Sequence, residues 1–324
     1  MVPADTLQAA AAILRDAPHV VIGSHVDPDG DAIGSSLGLA FALDQLGVPV
    51  TLVLGSGSRC PATYAFLPGS ERLGAPPAEV DGPYVFAALD SPDVSRLGAG
   101  TDLAKRADSL LLIDHHPDAT RLQPADVLDS SAAATGMLVW QLLSHLGATP
   151  DERIATCLYT ATLTDTGRFS YSNTTPDTLR AAADMADAGA HPNDIYSAVY
   201  ENRSAGAQML VGRTLARVTI ANGGHVAYSW ITEDDFADTG ALPEESENLI
   251  DFVRALGGVD VVFLAKVNGT TVRGNLRSKS DTDVSAVARM LGGGGHRAAA
   301  GFTLEGDLDT LLARLLPLLP GGQK

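Results

Sequence analysis

Short apolar runs alternate with longer segments of helical spacing along the first half of the chain. Strands are predicted from Val20 onward and at 50–54, 84–89, 109–113 and 168–171, and helices at 32–46, 132–146, 150–164 and 177–190. A helix between two strands makes a βαβ unit, which places the strands in parallel with a right-handed crossover. The pattern therefore predicts an α/β fold with a parallel sheet in the N-terminal part.

The pattern changes in the last third of the chain, where strands follow one another through turns. Strands are predicted at 225–231, 259–267 and 271–276, and helices at 244–256, 284–291 and 308–319. A polar, helical segment separates the two patterns. We therefore predict an N-terminal domain at 1–186, a helical connector at 187–220, and a smaller C-terminal α/β domain with a mixed sheet at 221–324.

Candidate metal ligands follow the ends of three apolar runs. They are His25, Asp29 and Asp31 after the first run, Asp90 after the third, His115 after the fourth, and Asp165 after a later helix. The carboxyl ends of parallel strands share one edge of a sheet, so we expect these side chains to converge. Carboxylates held this close would repel one another unless a cation lay between them. The spacing therefore predicts a metal site.

The ligand chemistry indicates which metal this site would take. Carboxylate and imidazole ligands without thiolate favour Mn²⁺ ahead of Mg²⁺, with Co²⁺ as a further option. The four carboxylates carry a charge of -4, which two divalent cations would neutralise. Two metals ~3.5–4 Å apart stabilise the attacking and leaving oxygens of an in-line phosphoryl displacement. We therefore expect two divalent ions and phosphoryl chemistry.

A basic, glycine-rich segment marks the second domain. Residues 266–297 contain six basic and two acidic side chains, in a protein whose net charge is -17. A helix precedes the glycine run 292–295, and His296 follows it. The backbone N–H groups of the glycine run could therefore form an anion-binding nest. We predict a site for a compact phosphate-bearing ligand, formed by Arg277, Ser278, Lys279, Gly293, Gly294, Gly295, His296 and Arg297.

Composition restricts the classes of partner. A net charge of -17 and a pI near 4.7 argue against a protein that coats long nucleic acid. Cys60 and Cys157 have no C-x-x-C spacing, so neither a disulfide framework nor a zinc site is indicated. The chain shows no apolar run of ~20 residues and no basic leader, from which we expect a cytoplasmic protein without a membrane partner. The sequence admits a homodimer.

The motifs resemble those of the DHH phosphoesterase superfamily, and they occur here in the same order. They are 25–31, Asp90 with 96–98, Asp114-His115-His116 and Asp165-Thr166-Gly167. The segments 275–279 and 292–302 are similar to the DHH-associated C-terminal domain, so the resemblance covers nearly the whole chain. Length and layout are similar to the nanoRNase/pAp phosphatase (NrnA) group. The chain departs from that group at Pro117-Asp118, where relatives usually have a Ser-Asn pair.

The resemblance implies a metal-dependent enzyme that hydrolyses short oligonucleotides and linear dinucleotides to mononucleotides. It also implies hydrolysis of 3′-phosphoadenosine 5′-phosphate (pAp) to AMP. The active site is then expected in a cleft between the two domains, with the metals on the first domain and the phosphate clamp on the second.

The resemblance further implies a role for each metal ligand. His25 and Asp29 would hold one metal, and Asp90 would bridge it to a second metal. The other ligands of this second metal would be Asp31, His115 and Asp165. We expect His116 and Asp114 to be the catalytic pair, and His116 either contacts the non-bridging phosphate oxygens or protonates the leaving oxygen.

Four other functions fit parts of the sequence. A RecJ-like exonuclease on long strands is disfavoured by the acidic charge. A cyclic-dinucleotide phosphodiesterase usually carries membrane or sensor segments. The basic glycine-rich segment favours a nucleotide over the substrate of a family II inorganic pyrophosphatase. A non-catalytic nucleotide sensor would have lost metal ligands, whereas this chain retains all six.

Overall fold

The computed structural model describes residues 2–246 and 248–322, and it divides the chain between Glu201 and Asn202. The predicted connector at 187–220 extends across this division, and the domain boundaries drawn from the sequence stay a prediction. Among the described residues, every helix is too short or too polar to cross a membrane. Each unit is described separately below.

The first unit is built on a parallel five-stranded sheet. Its strands are β1 (Val20–Gly23), β2 (Val50–Val53), β3 (Val85–Leu89), β4 (Ser109–Asp114) and β5 (Val127–Leu128). The order is β2-β1-β3-β4-β5, and every neighbouring pair is parallel. The predicted parallel sheet is therefore confirmed, and the carboxyl ends of β1, β3 and β4 lie on one edge.

Helices cover both faces of this sheet. They are α1 (Ala4–Arg15), α2 (Gly30–Gln45), α3 (Thr101–Arg106), α4 (Thr135–Leu146), α5 (Glu152–Asp165), α6 (Pro176–Asp187) and α7 (Pro192–Tyr200). Residues of α1, α2, α4 and α5 form the larger core on one face, and α3 packs on the other. The strands are therefore buried on both sides, as continuous apolar runs in parallel sheets are.

Helices α2 and α5 approach unusually closely, and glycine makes this approach feasible. A Cβ atom on Gly34 would lie 2.4 Å from the carbonyl oxygen of Cys157, and one on Gly38 would lie 2.5 Å from Leu158. A Cβ on Gly30 would meet Thr164 at 2.4 Å. The order of these contacts shows that the two helices are antiparallel. The start of α2 therefore lies beside the end of α5.

The predicted strand at 168–171 is wrong. Gly167, Arg168 and Phe169 all have positive φ, at 53°, 65° and 60°, and three left-handed residues in succession end an extended segment. Within this segment, the Phe169 ring packs edge-on against Tyr159 of α5, with ring centroids 5.9 Å apart. The segment is a turn that follows Asp165.

The second unit contains a mixed six-stranded sheet. Its strands are β6 (Thr219–Ala221), β7 (Val226–Thr232), β8 (Val261–Asn268), β9 (Thr271–Ser278), β10 (Gly294–His296) and β11 (Ala299–Glu305). The order is β10-β11-β9-β8-β7-β6; β7 and β8 are parallel and the other neighbours antiparallel. The predicted mixed sheet is therefore confirmed.

The helices of the second unit divide between the two faces of this sheet. They are α8 (Ala205–Ala216), α9 (Glu233–Thr239), α10 (Leu249–Arg254), α11 (Val284–Met290) and α12 (Leu308–Leu315). The core with α11 and α12 contains Phe263 and Leu276, and the core with α8 and α10 contains Val262 and Leu264. Alternate residues of one strand therefore enter different cores, as the two-residue period requires.

Strands β10 and β11 lie where the sequence predicts a glycine turn and no strand. Gly294 pairs with Gly301, and a Cβ atom on Gly293 would lie 2.1 Å from the carbonyl oxygen of Gly301. Half of the predicted nest is therefore an edge strand. Glycine is depleted in strands, so the residue that permits this close approach also hides the strand from sequence analysis.

A buried ion cluster connects α8 and α9. Asp235 is 1% exposed and accepts hydrogen bonds from Arg213 (3.0 Å), from Arg217 and from the Thr232 backbone (2.9 Å). Burial raises the pKa of Asp235, but the hydrogen bonds from Arg217 and Arg213 outweigh burial and hold that pKa well below its usual range. The carboxylate is therefore a fixed negative charge.

We predict that Asp235→Ala lowers the free energy of unfolding by about 3 kcal/mol, because it leaves Arg217 partly buried without its carboxylate. Urea unfolding of the full chain measures this loss. Asp238→Ala is the matched control, since Asp238 contacts the same Arg213 at 2.9 Å but is 57% exposed. The Asp238→Ala substitution is expected to lower the free energy of unfolding by less than about 1 kcal/mol. Equal losses in the two variants would contradict the prediction.

Candidate metal centre

Strand ends and helix ends deliver the candidate ligands. Asp29 caps α2, and its Oδ1 accepts hydrogen bonds from the backbone N–H of Asp31 (3.0 Å) and of Ala32 (3.1 Å). Asp31 therefore lies in the first turn of α2, where the helix dipole favours an anion. Asp90 follows β3, His115 follows β4, and Asp165 ends α5. All of them reach the carboxyl edge of the parallel sheet.

The structure brings these side chains into two clusters that share Asp90. One cluster is His25, Asp29 and Asp90 and the other is Asp31, Asp90 and His115, each with candidate ligand atoms within 4.8 Å of one another. The clusters meet at a single carboxylate. The first has the members of one ligand set that the resemblance implies, and the second has those of the other set except Asp165. The assignment of these residues as metal ligands stays a prediction.

The two oxygens of Asp90 point to different clusters. Asp90 Oδ2 lies 3.4 Å from His25 Nε2, and Asp90 Oδ1 lies 3.6 Å from His115 Nε2. His115 Nε2 is also 3.6 Å from an oxygen of Asp31 and from one of Asp165. These separations are longer than hydrogen bonds and fit donors that surround an ion at ~2.1 Å.

Burial and charge make this cluster unfavourable without a cation. Burial raises the pKa of Asp31 well above its usual value, and the charges of Asp90, Asp165 and Asp29 raise it further. Burial likewise raises the pKa of Asp165 to about 6. A divalent cation would favour the ionised form of both groups. The carboxylate and imidazole set therefore fits a hard or borderline divalent metal.

The imidazole of His25 partly compensates the negative charge of the clustered carboxylates. Burial lowers its pKa, but the contact with Asp90 and the charges of Asp29 and Asp90 raise it to about 9. Asp90 has the reverse balance, since its contacts with His25 and His116 hold its pKa below the usual range despite burial. Asp90 also has a left-handed backbone, with φ of 53°. Such strain in a residue other than glycine is concentrated at functional sites.

His116 and Asp114 form an oriented pair beside the shared carboxylate. Asp114 Oδ1 accepts hydrogen bonds from the His116 backbone N–H (2.5 Å) and from His116 Nδ1 (2.9 Å). His116 Nδ1 lies 3.7 Å from Asp90 Oδ1. Burial lowers the pKa of His116, but the bond to Asp114 and nearby carboxylates raise it to about 9. Asp114 therefore fixes the ring orientation and the Nδ1–H form.

Two residues that sequence reasoning missed contact this centre from α4. Thr135 N donates to Asp31 Oδ2 (2.6 Å), Gly136 N donates to Asp31 Oδ1 (2.9 Å), and Thr135 Oγ1 donates to Asp90 Oδ1 (3.1 Å). The sequence predicts this helix from residue 132, whereas α4 begins at Thr135. The later start directs the first N–H groups of α4 at Asp31. A threonine and a glycine before an apolar run were the available signal.

Sheet register and hydrogen bonds to backbone carbonyls position the predicted phosphate-binding residues of the second unit. Arg277 on β9 and His296 on β10 both lie opposite Ala299 of β11, so they project from the same face of the sheet. Lys279 Nζ donates to the carbonyl of Leu256 (2.5 Å). The guanidinium groups of Arg297 and Arg277 and the hydroxyl of Ser278 also donate to backbone carbonyls. The sheet register therefore brings Arg277 and His296 together.

Solved structures with a similar fold include an exopolyphosphatase-related protein from Bacteroides fragilis. It has a TM-score of 0.87 at 23% identity and covers 97% of this chain and 95% of its own. RecJ of Thermus thermophilus, solved in complex with Mn²⁺, has a TM-score of 0.52 at 15% identity. That match covers 97% of this chain and 54% of RecJ. Both show the fold.

Family profiles and a curated relative identify the chain. The profile of the DHH family, N-terminal domain, matches residues 19–162, and that of the DHHA1 domain matches residues 223–319. The chain is 36% identical over 299 residues to the bifunctional oligoribonuclease and PAP phosphatase NrnA of Thermus thermophilus. This match covers 92% of this chain and 88% of that protein. The chain therefore belongs to the DHH family, within its NrnA group.

Proposed function

We propose that this protein is a metal-dependent phosphoesterase that hydrolyses short oligonucleotides and linear dinucleotides to mononucleotides, and pAp to AMP. The observation that carries the proposal is the pair of ligand clusters that share Asp90, because two adjacent cations are suited to phosphoryl transfer. The relative from Thermus thermophilus, named as an oligoribonuclease and PAP phosphatase, supports this substrate class.

We propose two divalent cations, with Mn²⁺ ahead of Mg²⁺ and Co²⁺, as the resident metals. Mn²⁺ is supported by the mixed carboxylate and imidazole donors and by its presence in the RecJ structure of similar fold. The ligands would be His25, Asp29, Asp31, Asp90, His115 and Asp165. When bound, such ions stabilise charge on phosphate oxygens and lower the pKa of water.

We propose that His116 gives a proton to the leaving oxygen as the P–O bond breaks. The hydrogen bond from Nδ1 to Asp114 orients the ring and stabilises the imidazolium that donates. Asp114 is fully buried and the His116 side chain is 15% exposed, so the imidazole is held from the protein interior and still reaches the surface. Asp114 thus acts as a positioning residue for His116.

We propose that the second unit binds the terminal phosphate of the substrate. Arg277 and His296 project from one sheet face, and the adjacent edge strand presents the backbone of Gly294 and Gly295. Arg277 Nε is buried and, within the described residues, has no hydrogen-bond partner, which an anion would provide. The remaining proposed contacts are Gly293, Ser278, Lys279 and Arg297.

We predict that Asp90→Asn abolishes turnover, because the variant keeps the shape of the shared side chain and removes its charge. The rate of dinucleotide hydrolysis at saturating Mn²⁺ is expected to fall about 10³-fold or more. Asp93→Asn is the matched control, since Asp93 caps the next short helix through Ser95 N (2.7 Å) and asparagine also caps well. Activity of Asp90→Asn within tenfold of wild type would refute the dinuclear assignment.

We predict that Arg277→Ala weakens substrate capture and leaves the metals in place. Loss of charge-assisted hydrogen bonds to a phosphate is expected to raise KM about tenfold or more, with kcat changed less than about threefold. Steady-state kinetics and elemental analysis measure the two effects. Arg289→Ala, on the exposed side of α11, is the control and is expected to match wild type. Fewer bound metal ions in Arg277→Ala would contradict the assignment.

We predict that catalytic efficiency falls steeply as the substrate lengthens beyond about four nucleotides. Beyond the basic segment, each added phosphate meets a protein whose net charge over the whole chain is -17. Binding of short substrates is also expected to depend weakly on salt, because few counterions are released. Initial rates from two to about two dozen nucleotides at two salt concentrations test both trends. Equal or higher rates on the longest strand would favour a RecJ-like exonuclease instead.

A further inference from the structure

We infer that Thr135 is a positioning residue that sets the orientation of the shared Asp90 carboxylate, so that loss of its hydroxyl weakens one metal position and spares the other. The inference rests on the proposed dinuclear site. It concerns a residue outside the DHH motifs and outside the candidate ligand set.

Thr135 contacts both carboxylates of the second cluster from a fully buried position. Its hydroxyl donates to Asp90 Oδ1 (3.1 Å), and its backbone N–H donates to Asp31 Oδ2 (2.6 Å). The hydroxyl contact depends on the side chain, whereas the backbone contact does not. A substitution at Thr135 can therefore remove the contact with Asp90 and retain the contact with Asp31.

The hydroxyl selects between the two oxygens of Asp90. It binds Oδ1, the oxygen that faces His115 at 3.6 Å, while Oδ2 faces His25 at 3.4 Å. The Asp90 backbone is held independently, because Asp90 N donates to the carbonyl of Ile113 (3.1 Å). Rotation about the Cα–Cβ and Cβ–Cγ bonds is the freedom that remains, and the Thr135 hydroxyl restricts it.

The consequence is asymmetric. Without the hydroxyl, the buried Oδ1 loses a donor, and the carboxylate can pivot about its remaining contact at Oδ2, which displaces Oδ1 from the Asp31–His115 cluster. Oδ2 keeps its contact with the imidazole of His25, and Asp29 remains bound to the start of α2. The metal position at Asp31 and His115 is therefore the one that weakens. Partners that orient ligands typically contribute about 10–100-fold in metal affinity.

The test compares Thr135→Val, which has the same shape without the hydroxyl, with Thr135→Ser, which retains it. Thr162→Val is the control, because Thr162 is also fully buried and its hydroxyl donates within α5 to the carbonyl of Leu158 (2.9 Å). Calorimetric titration of the full-length apoprotein with Mn²⁺ counts the ions and gives their affinities. Electron paramagnetic resonance separates coupled ion pairs from single Mn²⁺ ions.

We expect wild type, Thr135→Ser and Thr162→Val to bind two ions and to show the coupled signal. Thr135→Val is expected to keep one ion at nearly wild-type affinity and to bind the second about 10–100-fold more weakly, with the signal of a single ion. Thermal melting of the apoproteins monitors folding. If Thr135→Val does not fold, Thr135→Ala, which also lacks the hydroxyl, must show the same selective loss.

Two results would overturn the inference while the proposed function stands. One is a Thr135→Val protein that binds both ions as wild type does. The other is a variant that loses both ions equally, which would make Thr135 a general structural residue. A wild-type protein that binds a single ion is a different failure, since it would refute the dinuclear site itself and the inference with it.

Discussion

The repulsion between carboxylates at one edge of the parallel sheet is the constraint on which the first unit depends. Asp31, Asp90 and Asp165 are brought together by burial in the fold, and burial raises the pKa of Asp31 and of Asp165 because their charged forms have lost water. Among the described residues, the groups beside them that can carry positive charge are the imidazoles of His25, His115 and His116. The site is therefore arranged for cations from solution, and the surrounding fold must hold like charges in contact.

Close helix packing is what holds them. Glycine at every fourth position of α2, at Gly30, Gly34 and Gly38, lets α5 approach until a Cβ atom would collide. Asp31 at the start of α2 then lies beside the end of α5, which carries Asp165. A larger side chain at Gly34 would separate the helices and with them the two carboxylates. The glycine spacing thus determines the geometry of the candidate metal centre as directly as the candidate ligands do.

The sequence could predict that the candidate ligands after strand ends converge, because this convergence follows from topology. Parallel strands end on one edge, so ligands that follow β1, β3 and β4 must meet, whatever the side-chain details. Thr135 could not be found in this way, because its role depends on the residue at which α4 begins. Edge strand β10 was equally hidden, since Gly294 and Gly295 pair through the backbone and leave no pattern of side chains. Topology is readable from periodicity, whereas contacts made by backbone N–H groups are not.

The conformation of Asp90 shows how the centre uses the rest of the fold. A left-handed backbone in a residue other than glycine is strained, and it persists where neighbouring structure determines it. Here β4 holds the Asp90 backbone through the carbonyl of Ile113, and Thr135 holds one side-chain oxygen. With both ends determined, the two oxygens are directed to different clusters before any ion binds. The sheet supplies the position of the shared carboxylate and α4 supplies its orientation, so the metal centre belongs to two elements that are remote in sequence.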